Sequence, residues 1–186
     1  PRLLDLTLDP ARQNRMLDLT GGDHAALTEI TGLQDTLLTL PDPDLDAMAR
    51  LAVHRDALQQ RNTNIPTDLP AVWAHLGQPA RADALARSIT DPNEQVRALA
   101  AVVEAVVGID PDRARSVAEA AEAVARSITD PNEQARALAA LAAAVVGIDP
   151  DWAEIIARSI TDPYAQAWAL AWLAGAVVGI DPDRAR

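Results

Sequence analysis

From Ala86 onward the apolar positions repeat in one order three times over. The phrase "ARSITDP" begins at Ala86, Ala125 and Ala157, and "VVGIDPD" begins at Val106, Val145 and Val177. An alanine-rich run lies between the two phrases each time. In the first such run Val96, Leu99, Ala100, Val103 and Val106 recur at three- and four-residue spacing, which predicts a helix with one buried stripe. Asp91 should cap that helix, Pro92 should be its first residue, and Glu94 suits the positive helix end. Gly108 is expected to supply a left-handed C-terminal residue. Asp110-Pro111 then restarts the chain as a second helix, with Ala114, Val117, Ala121, Val124 and Ile128 inward. Its outer face carries Arg115, Glu119, Glu122 and Arg126 at helical pairing distances. Two such helices cannot bury both stripes alone, so the copies are expected to stack.

The spacing supports this. Asp91 and Asp130 stand 39 residues apart (91 to 130), and Asp130 and Asp162 stand 32 apart (130 to 162). Periods of roughly 20 to 50 residues mark stacked supersecondary units. The difference of 7 residues (39 − 32) falls within the second helix, between "RARSVAEAAEAVARSI" and "WAEIIARSI". Seven residues make about two helical turns, so the longer copy keeps its buried face nearly unrotated.

Upstream the pattern is looser. Asp9-Pro10 should open a short helix that Gly21-Gly22 ends. Before it Leu4, Leu6 and Leu8 alternate with polar residues, as in a short strand or a frayed end. Asp23 is expected to cap a helix to about Leu40, with Leu27, Ile30, Leu33 and Leu37 on one stripe. Asp42 is expected to cap the next, through about Arg61, with Leu45, Met48, Leu51 or Ala52, Arg55 and Leu58 near one face. "RNTNIPTDLP" is the longest irregular stretch and the best candidate boundary. The expected organisation is therefore an N-terminal helical segment over 1–62 and repeats over 67–186. Together they form an all-α, right-handed α-solenoid with about three and a half helix-turn-helix units.

Composition narrows the chemistry. Nearly half of the 186 residues are apolar but only 3 % are aromatic, with no Phe, which favours closely approaching helices. No Cys is present, so disulfides, thiolate metal sites and cysteine nucleophiles are excluded. No Lys is present either, which excludes a P-loop lysine and Schiff-base chemistry within this chain. The net charge of −11 argues against nucleic acid and, more weakly, against an anionic membrane. No apolar run approaches the roughly 20 residues of a membrane span. The sequence starts at Pro1 without Met and stops at Arg186, one turn into a repeat helix; we read it as a piece of a longer protein.

Candidate catalytic groups do not assemble. His54-Arg55-Asp56 followed by Asn62 has the residue types of a kinase catalytic loop, but the Asp-to-Asn spacing is one residue too long and the segment reads as helix. His24, His54 and His75 fall on three separate predicted helices and make no metal spacing. Ser88, Ser127 and Ser159 share one repeat position, as structural helix-end serines do. The acidic residues are mostly caps, and nothing selects a catalytic pair. No cofactor or metal site is expected, and the chain reads as non-enzymatic.

Gly77 ends one helix and Pro79 starts the next, so "AVWAHLGQPARADALARSITDP" is already a degenerate copy. Through Leu76-Gly77, Arg81-Ala82, the small Ala86 and the closing Asp91-Pro92, the chain from about Thr67 resembles the tetratricopeptide family. The alanine-rich, "ITDP"-punctuated copies are also similar to sensor arrays of bacterial multidomain signalling NTPases. These resemblances imply a protein- or peptide-binding scaffold within a larger cytoplasmic signalling protein. They also imply that first-helix side chains line a concave face.

Aligning the first helices brings out one departure between copies. Asn93, Asn132 and Tyr164 share one position, Arg97, Arg136 and Trp168 the next, and Ala101, Ala140 and Trp172 the third. Trp152 likewise replaces Arg113. The last copy therefore carries Tyr164, Trp168 and Trp172 on one helix flank. Arg97 and Arg136 would anchor a carboxylate or acidic segment while Trp168 and Trp172 take an apolar side chain. The other reading is a homo-oligomer formed through the Trp-rich last copy, or cover by further structure.

Overall fold

Asp-Pro pairs open the helices that begin at Pro10, Pro92, Pro111, Pro131, Pro150 and Pro163, because the carboxylate accepts from the first free N–H groups and proline fits the first helical position. In the computed structural model, which describes residues 2–180, the chain is all-α, with eleven helices and no strand among the described residues. They are α1 (Arg2–Thr7), α2 (Pro10–Thr20), α3 (His24–Leu38), α4 (Leu45–Asn62), α5 (Leu69–His75), α6 (Pro79–Ser88), α7 (Pro92–Val106), α8 (Pro111–Ser127), α9 (Pro131–Val145), α10 (Pro150–Arg158) and α11 (Pro163–Ile180). Asp9, Asp91, Asp110, Asp130 and Asp149 all cap through their side chains. Asp162 does the same, accepting from the Ala165 N–H at 2.6 Å. Pro1 and Asp181 to Arg186, which complete the third "VVGIDPD" and the expected 67–186 unit, lie outside the described residues.

The matching copies are neighbours in space. Helix α7 packs on α8 and α9, and α9 packs on α8, α10 and α11. Their inward positions form one continuous apolar core. Val96, Leu99, Ala100, Val103 and Val106 are all buried, as are Ala114, Val117, Ala121 and Ile128 of the following hairpin arm. Helix α8 has 17 residues against 9 in α10, so the two extra turns lengthen the helix as the spacing predicts.

A smaller cluster of Ala26, Ile30, Leu51 and Leu58 holds α3 and α4 together, with Leu4, Leu8 and Met16 packed against it. Polar pairs support it: Arg12 and Thr7 both reach Glu29, at 2.8 Å each, and Gln13 meets His54 at 2.5 Å. This segment docks on α6. The Ser88 Oγ accepts from the His24 backbone N–H at 3.0 Å, and Gly22 lies so close to the Ala84 carbonyl that a Cβ there would overlap it.

Several local expectations are corrected. Leu4 and Leu6 belong to a helix, and Leu8 faces the small cluster. Asp23 makes no side-chain cap bond; it is buried and takes Arg61 in a two-pronged pair, Nε to Oδ2 at 2.9 Å. The cap of α4 is Asp44, not Asp42, because Asp44 stands three residues before the Ala47 N–H it accepts from, at 3.0 Å. Leu45 is exposed and Ala47 buried in its stead. Gly108 does not adopt a left-handed conformation; only Gly21 and Gly77 do among the described residues. The α7–α8 turn stays right-handed because Ile109 and Asp110 both donate to the Val106 carbonyl, at 2.9 and 2.8 Å. Arg115 pairs with Asp149 of the next hairpin at 3.4 Å, not along its own helix.

Candidate functional site

A groove of about 650 Å³ runs between α9 and α11. Its making follows from the aligned sequence. On α9 the wall is alanine: Ala135, Ala139, Ala140 and Ala143. The last of these stands where α7 has Glu104. On α11 the facing wall carries Trp168 and Trp172 above Ala165 and Ala169. Small residues on one helix and long rings on the other leave a trough between two axes that still pack. The polar rim lies at the N-terminal ends of both helices, with Asn132, Arg136, Asp162 and Tyr164.

Five of the seven residues singled out from the sequence thus line one groove: Asn132, Arg136, Tyr164, Trp168 and Trp172. Asn93 and Arg97 belong to α7 and are not in this lining. The three aromatics point outward, with Tyr164 83 %, Trp168 60 % and Trp172 43 % exposed. Their neighbours Ala169 and Leu173 are buried and hold the helix in place.

The two arginines are already engaged. Arg97 donates to Glu94 at 2.9 Å and Arg136 to Glu133 at 2.8 Å, each one turn back on its own helix. Both pairs are exposed, so each contributes only about 0.2–0.5 kcal/mol. In α11 the equivalents of Glu133 and Arg136 are Ala165 and Trp168, so the last copy has lost the whole ion pair. From Pro163 to Ile180 no residue is charged.

Of the lining alanines, Ala140 stands at an aligned position the sequence brings out, while Ala135, Ala139, Ala143 and Ala165 do not. For Ala143 and Ala165 a signal is present: the positions that are Glu104 in α7 and Glu133 in α9 turn to alanine one copy later.

Elsewhere the structure uses Trp differently. Trp73 lies under the Arg81 guanidinium at 4.3 Å. Trp152 lies under Arg115 at 5.4 Å while its indole N–H donates to Glu122 at 2.9 Å. Beside it Asp149 is held below its ordinary carboxylate range, chiefly because the Trp152 backbone N–H donates to it, with Arg115 adding to the effect.

His54, Arg55 and Asp56 lie within the unbroken helix α4. His24, His54 and His75 lie on α3, α4 and α5. Burial pushes the His24 pKa below its ordinary 6.5; Arg87 pushes the same way and Asp83 opposes. Ser88, Ser127 and Ser159 each donate to a carbonyl of the preceding turn. No helix among the described residues is long and apolar enough to cross a membrane. The chain matches no protein-family model, no curated protein and no solved structure.

Proposed function

We propose that the chain is a non-catalytic repeat scaffold that binds a protein or peptide segment in the α9/α11 groove. In this reading the helix pairs form a right-handed, tetratricopeptide-like α-solenoid, with 1–62 as a leading segment and 67–186 as the repeats. The resemblance of the repeats implies the setting, a cytoplasmic bacterial signalling protein. One observation carries the proposal: three aromatics occupy an outward flank, facing an alanine wall, on a helix that needs none of them for its own burial. Exposed Trp at a well-formed groove is the kind of residue that dominates interface energetics.

The test is selection from a displayed peptide library on the native chain, followed by Trp168→Ala plus Trp172→Ala. Selected peptides should quench the native tryptophan fluorescence and lose at least about tenfold in affinity for the double variant, roughly one hot-spot residue. Equal binding to both proteins refutes the groove.

A second reading, self-association through α11, has its own observation. Ala167, Ala171 and Ala174 of α11 are exposed, whereas the equivalent Val96, Ala100 and Val103 of α7 are buried. That face is core-like and open. Light scattering separates the two readings: a concentration-dependent dimer abolished by the double variant supports self-association, and a monomer supports recognition.

A further inference from the structure

We infer that Trp168 and Trp172 receive arginine side chains of the bound segment, so that the groove selects a basic, arginine-bearing peptide with apolar residues between its charges. This rests on the groove reading above and names the partner's chemistry.

The chain has four tryptophans. The two that are partly buried within the repeats, Trp73 and Trp152, each carry an arginine over the ring, from Arg81 and Arg115. The two at the groove are exposed, and among the described residues no arginine stands over either ring. Arg136, across the groove, is bonded to Glu133 instead. A tryptophan face is the best ring acceptor for a guanidinium, within about 6 Å of its centre.

Charge points the same way. Helix α11 presents its rings without a cation of its own between Pro163 and Ile180, and the groove rim pairs the one arginine, Arg136, against Glu133 with Asp162 close by. The chain as a whole carries −11, a field that draws basic segments and repels acidic ones. The alanine floor offers apolar surface but no hydrogen-bonding group, so the residues between the arginines are expected to be aliphatic. Guanidinium is planar and weakly hydrated and stacks on a ring, which an ammonium does less well, so arginine should be preferred over lysine.

The experiment uses three synthetic peptides of one length with the same leucine core, flanked by arginine, lysine or glutamate. Each is titrated into the native chain and into Trp168→Leu plus Trp172→Leu, which keeps apolar bulk and removes the rings. Both sites are exposed, and the variant's fold is checked first by circular dichroism. The arginine peptide should bind the native chain about tenfold tighter than the glutamate peptide, as two exposed ring contacts allow. In the variant the arginine peptide should lose its advantage over lysine. An arginine preference that persists in the variant overturns the inference, because overall charge then explains it. Equal binding of all three peptides, lost in the variant, overturns the inference and leaves the groove reading standing. Binding by none of the three overturns the inference, and the library selection then decides the groove reading separately.

Discussion

The four N-terminal helices and the repeat hairpins both contain helices capped by aspartate, yet different forces hold them. In α1–α4 the buried apolar set is small, and much of the joining falls to polar pairs: Arg12 with Glu29, Gln13 with His54, Arg61 with the buried Asp23. From α5 to α11 the joining is mainly apolar, one alanine- and valine-filled core shared by the hairpins, with a few polar contacts such as Arg115 to Asp149 and Trp152 to Glu122 laid over it. Polar pairs demand particular partners at particular distances, so that region cannot be copied piecemeal. An apolar stripe needs only another stripe, which is why the same text can be written three times and still pack.

Three measurements press on this difference. The largest effect is expected for Leu141→Ala, which empties a fully buried position in α9. Urea denaturation should show a loss of about 2–5 kcal/mol. Hydrogen exchange should rise in α7 and α11, which pack on α9, and less in α4, which belongs to the other cluster; a uniform rise would mean that the two regions share one core. A smaller loss, about 1–3 kcal/mol, is expected for Asp23→Ala, which strips Arg61 of its buried partner. It should appear first as faster exchange in α3 and α4. Loss below about 0.5 kcal/mol would show the pair to be as dispensable as an exposed one.

The smallest effect is a pH dependence at the junction of the regions. The folded state holds the His24 pKa below 6.5, so below that pH the unfolded chain binds more protons than the folded one. Stability should therefore be complete above pH 6.5 and decline as pH falls through that value towards the folded pKa. His24→Gln should flatten that decline. A native curve already flat across this window would show that His24 is not held neutral by the fold.

The same contrast decides what could be read from residues alone. In the repeats the helix starts and the buried stripe were legible, because Asp-Pro fixes the start and 3.6-residue spacing fixes the face. So was the aromatic flank, because aligned copies give each position its own control. In α1–α4 the copies are missing and the capping aspartates compete. Asp23 looked like a cap and proved to be an ion-pair partner, and Asp42 and Asp44 stand two residues apart, so the residue types alone do not say at which of them the helix starts. The groove was half legible: its rings were visible as departures, but an alanine wall in an alanine-rich chain is silent until a second helix faces it.

Ala169 and Leu173 hold α11 against the apolar core, while Tyr164, Trp168 and Trp172 stand clear of it on another flank of the same helix. Packing and exposed aromatic surface are thus assigned to separate sets of positions. Evolution can rewrite 93, 97 and 101, then 132, 136 and 140, then 164, 168 and 172, one set at a time, while the buried positions between them stay as they are. On the groove reading proposed above, a library randomised at those nine positions would sample new specificities on an unchanged frame.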